Sequence, residues 1–128
     1  MKTAHRVRFR IHVDPLAASW LSPDETRQMM GIAREAMSNA MRHSHAKTGV
    51  LSLVATGVGV RFELSDDGIG MDLSAVRDCG QGMANLASRA RSIGARLEII
   101  STPGAGTRII VDLPRKANAL RAAMGEPT

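Results

Sequence analysis

The sequence predicts an α+β domain, a two-layer α/β sandwich in which a mixed sheet carries its helices on one face. Periodic segments follow in the order strand, helix, hairpin, loop, helix and two strands, which packs naturally as one sheet covered by helices. The chain has 128 residues, 44% of them hydrophobic, which suffices for one core and leaves little room for another. We therefore expect one domain over residues 1–114 and a basic tail over 115–128, for which a short helix and a flexible segment both remain open.

The first half of the chain is predicted as a strand, a long helix and a hairpin. Residues 5–13 alternate between polar and apolar, as in a half-buried strand. The apolar positions on one face of this strand are Val7, Phe9, Ile11 and Val13. Residues 22–25 (Ser-Pro-Asp-Glu) combine an N-cap, a first-turn proline and a capping-box glutamate, so we expect a helix to about residue 44. Strands at 49–56 and 58–64 are joined tightly enough to form a hairpin.

The second half is predicted as a loop, a helix and two strands. The helix spans residues 83–93, because Leu86, Ala90 and Ile93 share a face, and Gly94 ends it. Strands at 96–101 and 107–113 flank a turn rich in glycine.

Composition and charge exclude several classes of protein. The single cysteine excludes an intramolecular disulfide and a multi-cysteine zinc site. No apolar run approaches the roughly 20 residues that span a bilayer, and the N-terminus does not resemble a signal peptide, so we expect a cytoplasmic domain without membrane contact. The formal charge of +5 arises at the two ends, and the middle is nearly neutral with few aromatics, which argues against a nucleic-acid partner.

The long helix carries a row of polar side chains at four-residue spacing: Glu35, Asn39 and His43. An amide oxygen suits Mg²⁺, which substrate phosphates also help to hold. A carboxylate can orient or deprotonate a nucleophile, and His43 or Arg42 can neutralise phosphate charge. A solvated polar face with a histidine near the helix C-terminus explains the same residues.

Three glycine-containing segments are further candidates. Residues 66–70 (Asp-Asp-Gly-Ile-Gly) follow a predicted strand, where a carboxylate can accept a hydrogen bond from an amine such as that of adenine. Residues 80–83 (Gly-Gln-Gly-Met) open a helix whose N-terminal amides suit phosphate. Residues 104–107 (Gly-Ala-Gly-Thr) join the last two strands. An ordinary turn or loop explains each segment singly, and none matches the Walker or Rossmann glycine patterns.

The order of these segments carries more information than any one of them. Glu-x-x-x-Asn-Ala-x-x-His, a hairpin, Asp-x-Gly-x-Gly, Gly-x-Gly-Met and Gly-x-Gly-Thr together resemble the ATP-binding domain of two-component sensor histidine kinases, within the superfamily of gyrase B, Hsp90 and MutL. The resemblance covers about residues 20–114 and implies the Bergerat α/β sandwich. Residues 34–46 are most similar to the subfamily that partners LuxR/NarL-type response regulators.

The resemblance implies a role for each matching residue. Asn39 corresponds to the Mg²⁺ ligand, and Glu35 to the acidic residue that positions water or acts as a base. Arg42 and His43 correspond to positions beside the phosphates. Asp66 corresponds to the residue that binds the adenine amino group, with Gly68 and Gly70 beside the base, and Thr107 shares a water with Asp66. Gly80, Gly82 and Met83 correspond to the end of the ATP lid.

The function implied is that of a kinase catalytic domain that presents the γ-phosphate of Mg²⁺-ATP to a histidine on a separate dimerisation domain. None of the four histidines of this chain lies in a predicted acidic, amphipathic phosphoacceptor helix. We expect the isolated domain to be monomeric and its parent kinase to signal to a response regulator. An anti-sigma-factor-type serine kinase and a non-catalytic, nucleotide-gated interaction module are the alternatives.

Overall fold

The computed structural model describes residues 7–43, 46–69 and 80–115. The elements in chain order are β1 (Arg8–Val13), α1 (Pro15–Ser19), α2 (Pro23–His43), β2 (Thr48–Ala55), β3 (Gly59–Asp66), α3 (Gly80–Ser92), β4 (Arg96–Ser101) and β5 (Thr107–Pro114). Residues 70 and 116–128, which include a candidate glycine and nearly all of the expected tail, lie outside this description.

The five strands form one mixed sheet in the order β1-β2-β3-β5-β4. β1 runs parallel to β2, and the other neighbours are antiparallel. The predicted α+β class and mixed sheet are therefore confirmed.

The core lies between one face of the sheet and the helices. Alternate residues of the central strands are buried, as the two-residue period of a strand requires. These residues are Leu51 and Leu53 of β2, Val60, Phe62 and Leu64 of β3, and Ile109, Val111 and Leu113 of β5. From the helices, Ile32 and Leu86 are fully buried against them, and burying a side chain of this size contributes about 1.5–3 kcal/mol.

The start of α2 has the predicted capping box. The Ser22 amide donates to Glu25 Oε1 at 2.9 Å, and the Glu25 amide donates to Ser22 Oγ at 3.1 Å. Two of the backbone donors at this end of the helix are thereby satisfied. The predicted helix is confirmed, and it ends at His43.

The predicted burial of the first strand is wrong at two positions. Ile11 and Val13 are 61% and 46% exposed, although their β2 partners Leu51 and Leu53 are buried. β1 is one of the two edge strands, and among the described strands it pairs with β2 alone, so its outer positions lie at the margin of the core. Alternation identifies the apolar face of a strand but not the position of that strand in the sheet.

Two helix boundaries also differ from the prediction. α1 is not among the predicted elements. Asp14 is an N-cap whose side chain accepts from the Leu16 amide at 3.0 Å, and Pro15 occupies the first helical position. α3 begins at Gly80 rather than at residue 83, so the glycines of residues 80–83 lie within its first turn.

Within the described residues, no helix combines the length and apolar character needed to cross a bilayer.

Candidate functional site

The end of β3 directs Asp66 towards the helical layer. Val60, Phe62 and Leu64 are buried on the helix side of β3, and Asp66 continues their two-residue row at the last strand position. The β2–β3 hairpin register sets Asp66 opposite Gly49, and β5 sets Thr107 opposite its other side. The carboxylate is therefore flanked by a residue without a side chain and by a hydroxyl.

A local turn holds the Asp66 carboxylate in place. The Gly68 amide donates to Asp66 Oδ1 at 2.8 Å, which closes an Asx turn immediately after the strand. Gly68 is buried and Asp66 is half-buried. A carboxylate has acceptor sites on both oxygens, so this bond orients the group without exhausting its capacity to accept hydrogen bonds.

The turn between β4 and β5 packs directly on the same segment. Gly104 and Gly106 have φ angles of +83° and +79°, a region that glycine adopts without strain. A Cβ at Gly106 would lie 2.2 Å from the Asp66 carbonyl oxygen. The Gly104 amide also donates to the Ile69 carbonyl. Only a glycine at position 106 permits this approach.

Thr107 belongs to a short chain of hydroxyl groups. Its side chain is buried, and its Oγ1 lies 2.8 Å from Ser101 Oγ. Ser101 Oγ donates to the Gly106 carbonyl at 3.2 Å. The two hydroxyl groups therefore share one hydrogen bond, and each hydroxyl can both donate and accept. Ser101 is not among the site residues predicted from the sequence, although the predicted β4–β5 hairpin places it opposite Thr107.

Asp67 ties the end of β3 to the start of β2. Its Oδ1 accepts from the Lys47 and Thr48 amides at 2.8 and 2.9 Å, and its Oδ2 accepts from Thr48 Oγ1 at 2.9 Å. These bonds lower the pKa of the Asp67 carboxyl, because each stabilises its charged form. The bond from the Thr48 amide has the largest effect. These hydrogen bonds join residues about 20 positions apart in the sequence, so the Asp-Asp-Gly pattern around Asp67 did not indicate them.

Helix α2 brings its polar row to the same end of the sheet. Glu35 and Asn39 each precede a buried alanine, so both are half-buried at the border of the apolar stripe. Residues 44–47 join the end of α2 to the start of β2, which pairs with the end of β3. Because this connection is short, the last turns of α2 and Asp66 lie at one end of the molecule.

Five further candidates lie at the end of α2 and at the start of α3. Arg42 and His43 form the end of α2, and Gly80, Gly82 and Met83 lie in the first turn of α3, but their side-chain surroundings are outside the described part of the structure. Gly70 is outside it altogether.

The candidate residues supply few protein ligands for a metal ion. Among the described residues, no group of three or more His, Cys, Asp or Glu side chains is arranged to hold a metal ion. A Mg²⁺ that keeps waters and binds phosphates needs only one or two protein oxygens, and the Asn39 amide is of that kind.

The fold defines a class of protein: an α/β sandwich with an aspartate at the end of a central strand and an asparagine on the helix that leads into the neighbouring strand. Residues 24–117 match the family described as "Histidine kinase-, DNA gyrase B-, and HSP90-like ATPase". The chain belongs to this family.

Individual relatives agree with this assignment. The chain is 35% identical over 83 residues to the sensor histidine kinase LiaS of Bacillus subtilis, a match that covers 65% of this chain and 23% of LiaS. It therefore spans about a quarter of the length of the curated relatives that it matches.

Solved structures show the same fold. The histidine kinase domain of the Erythrobacter litoralis EL346 blue-light activated kinase has a TM-score of 0.67 at 19% identity, over 91% of this chain and 55% of that one. The ATP binding domain of PrrB from Mycobacterium tuberculosis has a TM-score of 0.59 at 25% identity, over 70% of this chain and 68% of that one.

Proposed function

We propose that this chain is the catalytic, ATP-binding domain of a sensor histidine kinase, which presents the γ-phosphate of Mg²⁺-ATP to a histidine on a separate dimerisation domain. One observation carries the proposal: Asp66 is held by the Gly68 amide at the end of β3, opposite Thr107, with the Gly106 turn packed on its backbone. The family match and the similarity to LiaS support it.

Asp66 and Thr107 would recognise the adenine end of the nucleotide. An ionised carboxylate only accepts hydrogen bonds, so Asp66 favours a ligand that donates one. The 6-amino group of adenine supplies one, whereas guanine has a carbonyl oxygen at that position, so we expect ATP to be preferred over GTP.

The end of α2 and the first turn of α3 would hold the phosphates. Asn39 is assigned to Mg²⁺, which when bound supplies charge neutralisation along the phosphate chain. Arg42 and His43 add positive charge or hydrogen bonds there. Gly80, Gly82 and Met83 would bring backbone amides of a helix N-terminus to the phosphates, with Gly70 and Gly68 leaving room for the base.

The contribution of this chain to catalysis would be positioning and electrostatics. In the transfer, the bond between the γ-phosphorus and its bridging oxygen breaks, and a bond to an imidazole nitrogen of the acceptor histidine forms. Glu35, one helical turn before Asn39, would orient the incoming nucleophile. The partners proposed are the histidine-bearing dimerisation domain and, downstream, a LuxR/NarL-type response regulator in the cytoplasm.

Calorimetric titration with Mg²⁺-ATP and Mg²⁺-GTP tests the nucleotide assignment. Saturable binding of ATP and at least tenfold weaker binding of GTP are expected. Equal affinity for the two would contradict the role given to Asp66 and Thr107.

A transfer assay tests the kinase assignment. Radiolabelled ATP is incubated with the domain and either a histidine-bearing dimerisation domain or a serine-bearing antagonist protein supplied in trans. Acid-labile label on the histidine domain is expected. Label on the serine protein would favour the serine kinase, and nucleotide binding without transfer to either would favour the interaction module.

A further inference from the structure

A second, polar groove lies between α2 and α3. It has a volume of about 280 Å³ and is lined by Gln28 of α2 and by Asn85, Ser88, Arg89 and Ser92 of α3. None of these five residues belongs to the candidate nucleotide site. We refer to it as the Arg89 groove.

The guanidinium of Arg89 rests on the backbone of α2 at Gly31. A Cβ at Gly31 would lie 2.6 Å from Arg89 Cζ and Nη1, so the guanidinium can contact α2 here only because residue 31 has no side chain. Arg89 Nη1 also donates to Gln28 Oε1 at 3.1 Å. The arginine is therefore held at a fixed place, and α2 accepts the helix-propensity cost of Gly31, about 1 kcal/mol relative to alanine.

The charge of Arg89 has no carboxylate beside it within the described residues. Arg27, Arg61 and Arg108 each form an ion pair with an acidic side chain, but Arg89 does not, although it is partly buried. Its position near the C-terminus of α3 is favourable for a cation. Arg91 has the same advantage while remaining exposed, so the helix end does not account for the burial of Arg89.

We propose that the Arg89 groove binds an oxyanion, a phosphate group or a carboxylate, through the Arg89 guanidinium. A guanidinium presents five donors in a planar fork that matches either group, and Gln28 uses one of them. Ser88 adds a hydroxyl to the lining. The Ser92 hydroxyl already donates to the Arg89 carbonyl at 2.7 Å and is not needed as a donor.

The oxyanion in the Arg89 groove could be a free phosphate or a carboxylate of a protein partner, because the groove lies near the candidate nucleotide site. Gly31 and Asn39 are eight residues apart on α2, which corresponds to about 12 Å along the helix. A free phosphate could occupy the groove, and so could an acidic side chain of a protein partner docked alongside the nucleotide cleft.

The test follows the Arg89 Nε–Hε signal of the ¹⁵N-labelled chain by NMR. Sodium phosphate and sodium acetate are added separately, with ionic strength kept constant by sodium chloride. We expect the Arg89 signal to move saturably while that of Arg91 stays in place. A response to both anions assigns the groove to carboxylates as well as phosphate, and a response to phosphate alone assigns it to phosphate groups. No saturable change at Arg89, or an equal change at Arg91, overturns the proposal.

Three variants separate anion binding from a purely structural role. Arg89→Gln should lose at least about tenfold in phosphate affinity, measured by the stabilisation of the fold with added phosphate, because a charge-assisted bond is removed. Gly31→Ala keeps the arginine but adds a side chain where its guanidinium contacts α2, and should also weaken binding. Arg91→Gln, the matched control, should bind phosphate as the unmodified chain does. If Arg89→Gln and Arg91→Gln respond equally to phosphate, the proposal fails.

Discussion

At the scale of single residues, the candidate site depends on a carboxylate whose direction is set by its neighbours. The alternation of β3 turns Asp66 towards the helices, and the Gly68 amide orients its oxygens. These are local features, and the sequence contained all of them: a strand pattern followed by Asp-x-Gly.

Replacing Asp66 with asparagine tests the adenine assignment. One acceptor oxygen becomes a donor that faces the amino group of adenine, so Asp66→Asn should reduce ATP affinity by at least about a hundredfold in a calorimetric titration. Asp24→Asn changes the same functional groups on an exposed position in the first turn of α2 and should bind ATP normally. Undiminished affinity in Asp66→Asn would remove the residue from the site.

Two glycines of the β4–β5 turn allow the stabilising effect of the close contact with the Asp66 backbone to be measured. Gly104 and Gly106 both have positive φ, but a Cβ at Gly104 meets no atom within 4 Å, whereas one at Gly106 would collide with the Asp66 carbonyl. Gly104→Ala should therefore cost about 1 kcal/mol of unfolding free energy, and Gly106→Ala about 3 kcal/mol or more. Urea denaturation measures both, and equal costs would show that the collision is relieved elsewhere.

The limits of sequence interpretation are clear at this scale. The contact between Gly106 and the Asp66 backbone and the bonds of Asp67 to residues 47 and 48 both join segments distant in sequence. No periodic pattern records such contacts, because they arise only when the strands are placed in register.

At the scale of elements, the most predictable features were those with local causes. The capping box at Ser22, the apolar stripe of α2 and the positive φ of Gly94 at the end of α3 follow from interactions within a few residues. The hairpin of β2 and β3 was equally predictable, since a tight turn pairs neighbouring strands. The exposure of β1 was not, because it depends on the order of strands in the sheet.

The junction of β2 and β3 should respond to pH through Asp67. Its folded-state pKa is lowered, so its contribution to stability is present above the unfolded value of about 3.9 and is lost as pH falls through the folded value. Asp67→Asn should therefore lower the urea midpoint at pH 7, and the difference from the unmodified chain should shrink below pH 4. Fluorescence of the single tryptophan, Trp20, reports the transition.

Thr48→Val is the companion variant for Asp67. It removes one of the three hydrogen bonds to the carboxylate and leaves both backbone donors, so its effect should be smaller and should follow the same pH dependence. If the difference in urea midpoint between Asp67→Asn and the unmodified chain does not depend on pH, the hydrogen bonds to the ionised Asp67 carboxylate do not stabilise the fold.

At the scale of the whole molecule, one hydrophobic core joins the sheet to the helices. α2 packs on β3 and on α3, so a ligand held between α2 and the sheet end stabilises the whole domain. Saturation at a hundredfold excess over the dissociation constant adds about 2.7 kcal/mol. For a domain of this size that corresponds to a rise of roughly 10 °C in Tm.

Thermal unfolding with ATP therefore tests the metal assignment of Asn39. We expect Mg²⁺-ATP to raise Tm more than ATP with EDTA, and Asn39→Ala to lose most of that difference. Ser38→Ala, the adjacent position on α2, should retain it. If Asn39→Ala loses as much stabilisation in EDTA as in Mg²⁺, the residue acts on the nucleotide and not through the metal.

The edge position of β1 has a consequence for self-association. An edge strand offers unpaired backbone groups to other chains, and the exposed Ile11 and Val13 would favour such pairing. The opposite face of β1 carries Arg8 and Arg10, both exposed. Two copies pairing antiparallel about Arg10 would set the two Arg10 side chains opposite each other, and repulsion between them would oppose the pairing. Salt shortens the range of that repulsion to about 3 Å at 1 M, so the edge is protected least in concentrated salt.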